Sequence, residues 1–281
     1  MQVTTEMACV RADERFSLQS VMKLLVGFAV LDAVDHKGWR LEETVDIHRQ
    51  DLSLFVQPIA SLVGSSGYRT TIGDLIRRAM IDSDSAAADI LIARLGGPSA
   101  VQSVLKRHGI WGIRLDRDER HLQTETIGLT WRPEYVDAAV LDRAVASVPE
   151  SRRDRASAEY RADPRDTSTP RGMTAFLLEL ANGKLLSESS TAYILQAMKE
   201  CATSPDRLKA GAAPGWQVAH KTGTSGSWKG LTVATNDVGI LTAPDGTRVA
   251  ISVFVADSHA GSAARAAIIA RMAGATIAHY H

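Results

Sequence analysis

Only two cysteines stand in 281 residues, Cys9 and Cys201, so no disulfide framework can hold this fold and both thiols are expected to be free. Neither lies in a C-x-x-C pair or beside clustered histidines, so the chain offers no metal-ligand spacing and no metal or cofactor is expected. An excess of one charge is equally lacking, since 32 Lys and Arg are balanced by 32 Asp and Glu, interleaved along the chain. That balance leaves no electrostatic footprint for nucleic acid or an anionic membrane surface. The apolar run from Leu24 to Val34 is too short to span a bilayer and contains Gly27 and Asp32, so it reads as a core helix rather than a membrane or signal segment. With these classes excluded, 45% hydrophobic content over this length suits a globular body, in one large domain or two lobes, that recognises a small substrate.

Taken in order, residues 3 to 11 are rich in strand formers and predict an opening strand. Ser20 opens a long apolar helix that ends near Lys37-Gly38. Helical spacing of apolar residues predicts further helices over 70–80 and 86–95, and Ser99 is positioned to cap another through Lys106. A dense charge run at Arg114 to Arg120 follows, and the next landmark is Asp163-Pro164-Arg165-Asp166. The span between them is too long to be structureless, and Pro133 and Pro149 mark the starts of two helices in it, a helical hairpin. Helices are expected over 173–180 and 189–201. Strands then take over at 217–222, 238–241 and 248–256, with Asp245-Gly246 as a hairpin turn, before an Ala-rich closing helix over 262–277.

Chemistry concentrates in three short stretches. Ser20-Val21-Met22-Lys23 places a hydroxyl and an amine one helical turn apart, a nucleophile beside a base. The same spacing recurs at Ser103 and Lys106, where an ordinary helix surface is expected, so the pattern alone decides little. Ser83-Asp84-Ser85 alone would most simply cap a helix, and Glu119 alone would be a solvated charge. The third stretch is His220-Lys221-Thr222-Gly223-Thr224.

In this order the three stretches resemble the S-x-x-K, S-D-N and K-T-G signatures of class A β-lactamases and penicillin-binding proteins. The resemblance extends to Arg114 to Glu119 and Asp163 to Pro170, similar to the opening and close of the class A omega loop, and covers nearly all of residues 8 to 280. It implies an α+β fold, an antiparallel sheet flanked by helices beside an all-helical lobe. The sheet-bearing lobe would be built from 1–19 and 205–281 and the helical lobe from 20–204, with an omega-like loop at 114–170 carrying the hairpin at about 124–162.

The roles implied are those of a serine β-lactamase acting on a small β-lactam, as a monomer, without cofactor, nucleic acid or membrane. Ser20 would form an acyl-enzyme, with backbone N–H groups of Ser20 and Thr224 as the oxyanion hole. Lys23 would relay the proton, and Glu119 would activate the deacylating water. Ser83 would protonate the leaving nitrogen, while Lys221 would hold a positive field. Ser85, Gln123, Thr222, Gly223, Thr224 and Ser225 would line the substrate and its water. Arg117 and Asp166 would pair across the neck of the loop. His220 is expected as a strand side chain, and Trp228 either walls the pocket or packs.

Ser85 and Gln123 each stand where the family carries asparagine, and the hairpin is additional to its pattern. A penicillin-binding D,D-peptidase would share the other residues but not Glu119. A non-hydrolytic β-lactam sensor would acylate and stop. The family resemblance implies a periplasmic or secreted enzyme, yet only nineteen residues precede Ser20 and no export signal is seen, so a truncated chain of low stability is expected.

Overall fold

The computed structural model describes residues 8–280. The opening strand expected over 3–11 lies largely outside them, and residues 8–11 form no strand. The first strand is β1 (Phe16–Ser17), which leads through a 3-10 turn at Gln19–Val21 into α1 (Met22–Lys37). Ser20 therefore sits in the tight turn before the α-helix, one step earlier than expected. Residues Met22 to Ala33 of α1 are all buried, and Gly38 closes the helix in the left-handed region at φ 72°. A helix stretch buried on every side has no polar face to present, which is why Leu24 to Leu31 carries no polar side chain. Burying each Leu or Phe there contributes about 1.5–3 kcal/mol relative to exposure.

The other helices gather round α1. After β2 (Thr44–Ile47) and β3 (Tyr68–Thr71), an antiparallel pair, come α2 (Ile72–Ile81), α3 (Ser85–Leu95) and α4 (Pro98–Arg107). The start of α4 corrects one expectation: Gly97 holds the cap position and Pro98 the first turn, where proline loses no hydrogen bond. Ser99 lies inside the helix, and Ser103 Oγ donates to its carbonyl at 2.8 Å, an ordinary helix surface. Then α5 (Glu119–Thr126), α6 (Ala138–Ala146), α7 (Glu150–Ala162), β4 (Thr167–Ser168), α8 (Pro170–Ala181) and α9 (Glu188–Lys199) follow. β4 returns to pair antiparallel with β1.

The main sheet comes last in the chain. β5 (Gln217–Thr224) and β6 (Ser227–Trp228) pair antiparallel with one side of β7 (Leu231–Thr242), and β8 (Arg248–Ser258) pairs with the other. Alternation along β7 divides two cores. Val238 and Ile240 face the helical core around α1, while Leu241 faces Ile269, Ala273 and Ile277 of α10 (Ser262–Tyr280). The fold is thus an antiparallel sheet with helices on both faces and a large helical body beside it. β5 pairs on one side only, and its other edge meets the Ser20 turn.

No helix among the described residues is long and apolar enough to cross a membrane. Both cysteines are free, Cys9 exposed and Cys201 buried.

Candidate active site

The Ser20 turn is bracketed by strained backbone. Gln19 and Ser83 have φ of 47° and 60°, in the left-handed region that side chains other than glycine rarely adopt. Such strain persists only where the surroundings impose it, and it concentrates at functional sites. Here the surroundings are visible. The Ser83 carbonyl accepts from Lys23 Nζ at 2.7 Å, and the next residue, Asp84, caps α3 by accepting from Ala87 N at 2.9 Å. The other carboxylate oxygen of Asp84 accepts from Ile59 N at 2.7 Å, so the expected cap falls on the middle residue and leaves both serines facing the site.

Lys23 is the hub. Its Nζ lies 3.1 Å from Ser20 Oγ, 3.3 Å from Ser83 Oγ, 3.2 Å from Ser85 Oγ and 3.0 Å from Glu119 Oε1, and both ionic groups are buried. Three ammonium protons must serve these acceptors and the Ser83 carbonyl, so the Ser20 hydroxyl competes for a shared donor. Lys221 approaches from β5 and donates to Ser83 Oγ at 2.9 Å. Burial pulls Lys221 down to about 8, with the nearby Lys23 acting in the same direction. Two lysines therefore converge on one small hydroxyl cluster.

Gly223 permits that convergence. A Cβ there would fall 2.6 Å from the Leu18 carbonyl oxygen and 3.1 Å from the amide nitrogens of Ser20 and Val21. Only a residue without a side chain lets β5 lie against the Ser20 turn. Thr224 and Ser225 continue the strand edge into the cavity, with the Thr224 hydroxyl accepting from Arg207. Thr222 is buried, its hydroxyl 2.6 Å from that of Thr203. His220 is a buried strand side chain whose Nδ1 lies 2.9 Å from Asp237. Burial opposes charge on His220, but Asp237 and the neighbouring Cys201 together outweigh it and hold the ring up at about 9.

Glu119 begins α5, where Asp118 is the cap. Its position is set from below by Asp89, buried in α3, whose two oxygens accept from Glu119 N at 2.7 Å and Arg120 N at 3.2 Å. Burial, with the charges of Asp118 and Glu119 adding to it, lifts the Asp89 carboxyl to about 7. From the side, Gln123 Nε2 donates to Glu119 Oε2 at 3.0 Å and to Gln19 Oε1 at 3.1 Å. The buried hydroxyl of Tyr160, from α7, bonds in turn to Gln19 and Ser17. Asp89, Gln19, Tyr160 and Arg207 carried no recognised signal, although a carboxylate one turn after Ser85 in the Ala-rich α3 could have drawn notice.

The loop that carries Glu119 is closed at its neck. Asp166, fully buried, accepts from Arg117 Nε at 2.6 Å and from the backbone of Asp116 and Arg117 at 2.7 and 3.0 Å. Arg117 also meets Glu125 at 2.5 Å and Asp163 at 3.2 Å. Removing one member of a buried, hydrogen-bonded pair costs about 3–5 kcal/mol because it strands the other charge. With Glu125 and Asp163 still beside Arg117, Asp166→Asn is expected near the low end, about 3 kcal/mol. Chemical denaturation read by far-UV circular dichroism checks this, and a midpoint equal to that of the parent would show the neck to be dispensable.

Above these groups opens a cavity of about 270 Å³, lined on the side nearest Lys23 by Ser20, Ser85, Glu119, Gln123, Thr224 and Ser225. Lys23, Ser83 and Lys221 lie beneath it. Trp228 walls the cavity and is held by its indole N–H, which donates to Asp154 at 2.8 Å.

The sequence model of the β-lactamase enzyme family matches residues 2–280. This chain belongs to that family. As a class A β-lactamase it is 31% identical over 270 residues to β-lactamase VEB-1 of Pseudomonas aeruginosa, covering 95% of this chain and 79% of the relative. The extended-spectrum β-lactamase PER-1 of the same organism is 31% identical, with 92% of this chain and 74% of the relative covered. Among solved structures, a β-lactamase from Chitinophaga pinensis DSM 2588 matches with a TM-score of 0.80 at 28% identity, over 98% of this chain and 90% of that one. An ancestral class A β-lactamase matches with a TM-score of 0.76 at 29% identity, over 98% and 89%. The mixed α/β architecture expected from the resemblance is the one these relatives share.

Proposed function

We propose that this enzyme opens the amide of a β-lactam through an acyl-enzyme on Ser20 and releases it with water activated by Glu119. The observation that carries this reading is the Ser20–Lys23–Glu119 contact chain, with steps of 3.1 and 3.0 Å at the base of the cavity. Attack by Ser20 Oγ on the lactam carbonyl forms the C–O bond and sends the hydroxyl proton toward Lys23 and Glu119. The oxyanion is received by the backbone N–H groups of Ser20 and Thr224, at the close approach that Gly223 allows. As the C–N bond breaks, Ser83 gives its proton to the leaving nitrogen and is resupplied from the two lysines that contact it. Lys221, Thr224 and Ser225 bind the substrate carboxylate, with Arg207 behind them. In deacylation Glu119 takes a proton from a water held against Gln123, the resulting hydroxide attacks the ester carbonyl, and the acyl C–O bond breaks as Ser20 Oγ regains a proton from Glu119 by way of Lys23.

The amide of Gln123 reaches Glu119 through its longer arm, so the departure from asparagine is met by a side chain already seated on the base. Ser85 shares the Lys23 donor and leaves the substrate side-chain amide a hydroxyl partner. The chemistry needs neither metal nor cofactor in this reading. We further propose that the enzyme acts as a monomer in the periplasm or outside the cell, on a small molecule alone.

A pulse of benzylpenicillin followed by intact-mass spectrometry tests the reading. The expected result is an adduct of substrate mass that forms and clears while the drug is consumed. An adduct that persists would place the protein with penicillin-binding or sensor proteins, and a mass that never changes would remove Ser20 chemistry altogether.

A further inference from the structure

Along α7, Arg153, Ser157 and Tyr160 stand at spacings of four and three residues, one stripe of the helix, and all three line the cavity above Ser20. The helix packs between α5, which carries Glu119, and β6, which carries Trp228. Tyr160 marks the inner end of the stripe, bonded to the residue next to Ser20. At 1.5 Å per residue, Arg153 lies about 10 Å further out along the helix axis. There its guanidinium sits 4.0 Å over the Trp228 ring.

The charge around Arg153 is unevenly committed. Asp154 and Glu150, its acidic neighbours on α7, are both engaged by Lys229, at 2.9 and 2.6 Å, and Asp154 also takes the Trp228 indole N–H. Of the residues lining the cavity only Glu119 and Arg153 are charged, and Glu119 is bound to Lys23. Arg153 is half-buried, has a ring contact, and has no carboxylate among its described contacts. A guanidinium held over an aromatic face and left without an anion is positioned for bidentate carboxylate recognition.

We infer that Arg153 is a specificity-determining residue that binds a carboxylate at the far end of the substrate's acyl side chain, so that β-lactams with long, anionic side chains are favoured. The inference rests on the β-lactamase reading of the same cavity, and it assigns α7 a role in substrate choice rather than in bond making. Trp228 would cover the apolar part of such a side chain, and Ser157 would offer a hydroxyl midway.

The test uses two penicillins that differ only at the side-chain terminus, adipyl-penicillin, ending in a carboxylate, and hexanoyl-penicillin, ending in a methyl. The readout is the ratio of their kcat/KM values in the parent, Arg153→Ala and Arg153→Lys. The parent is expected to favour the adipyl substrate. Arg153→Ala should lower the ratio about tenfold, mainly through the KM of the adipyl compound, and Arg153→Lys should restore part of it. A ratio equal in parent and Arg153→Ala overturns the inference even if both rates fall together, since a role limited to holding Trp228 would affect the two substrates alike. Should the parent hydrolyse neither compound nor benzylpenicillin, the β-lactamase reading itself fails and this inference with it.

Discussion

In the Glu119→Gln variant, an adduct on Ser20 is expected to form and then persist, its release slowed by about 10²–10⁴ as for loss of a general base. The substitution is conservative in shape. The new amide's oxygen can still accept from Lys23, its NH2 can donate to Gln123 once that side chain turns its own oxygen inward, and the Asp89 contacts are to backbone N–H groups, so the helix start is retained. What is lost is a carboxylate able to take a proton from water. The variant keeps Lys23 against Ser20 Oγ to relay the proton in acylation, whereas in the proposed mechanism no group but Glu119 takes a proton from the deacylating water. Single-turnover mass spectrometry separates the two steps. Release at the parental rate would remove Glu119 from the mechanism, and a matching loss in adduct formation would make it the base of both steps.

Ser20→Ala should leave no covalent adduct with any β-lactam, the second large effect. The variant tests more than the obvious nucleophile, because Ser83 and Ser85 place two other hydroxyls within 3.3 Å of the same ammonium. Geometry favours Ser20 over both. Ser83 is engaged by Lys221 and Lys23 together, Ser85 is nearly enclosed, and Ser20 stands at the turn that Gly223 lets β5 approach. The fold should tolerate the change, since Lys23 keeps its contacts to Ser83, Ser85 and Glu119. A melting temperature close to that of the parent, together with an unmodified mass after exposure to benzylpenicillin, is the expected pair of results. Full adduct formation by Ser20→Ala would move the nucleophile to one of the neighbouring serines.

Much of the fold could be read locally. Helices α2, α3, α7, α8, α9 and α10 and strands β5 and β8 followed apolar spacing and turn residues, and Asp245-Gly246 lies between β7 and β8 as expected. By contrast, α5, β4 and β6 had no such signal, β7 begins at Leu231 rather than 238, and Pro133 opens a 3-10 turn with α6 starting at Ala138, capped by Asp137. Where the reading failed, the decisive interaction was short-range but degenerate. Ser99 and Pro98 are both plausible at a helix start, and the missing amide of proline settled the first position. The apolar neighbours of Ser20 predict a helical position, but with Gln19 in the left-handed region the turn takes 3-10 geometry.

Sequence order by itself determined the family likeness, the pairing of a serine with a lysine one turn later, and the choice of Glu119 and the Arg117–Asp166 neck. Each depends on spacing within one segment or on the order of several, and both survive without knowledge of packing. Tertiary structure alone decided that Lys23 and Lys221 share Ser83, that Asp89 seats Glu119, and that Tyr160 of the hairpin reaches Gln19 beside Ser20. It also decided that Arg153 looks into the cavity rather than into solvent, on a helix whose charged sequence reads the same from every side. Contacts across such chain separations leave no local period, since they arise only when the burial of α1 draws the sheet edge and the hairpin onto one turn.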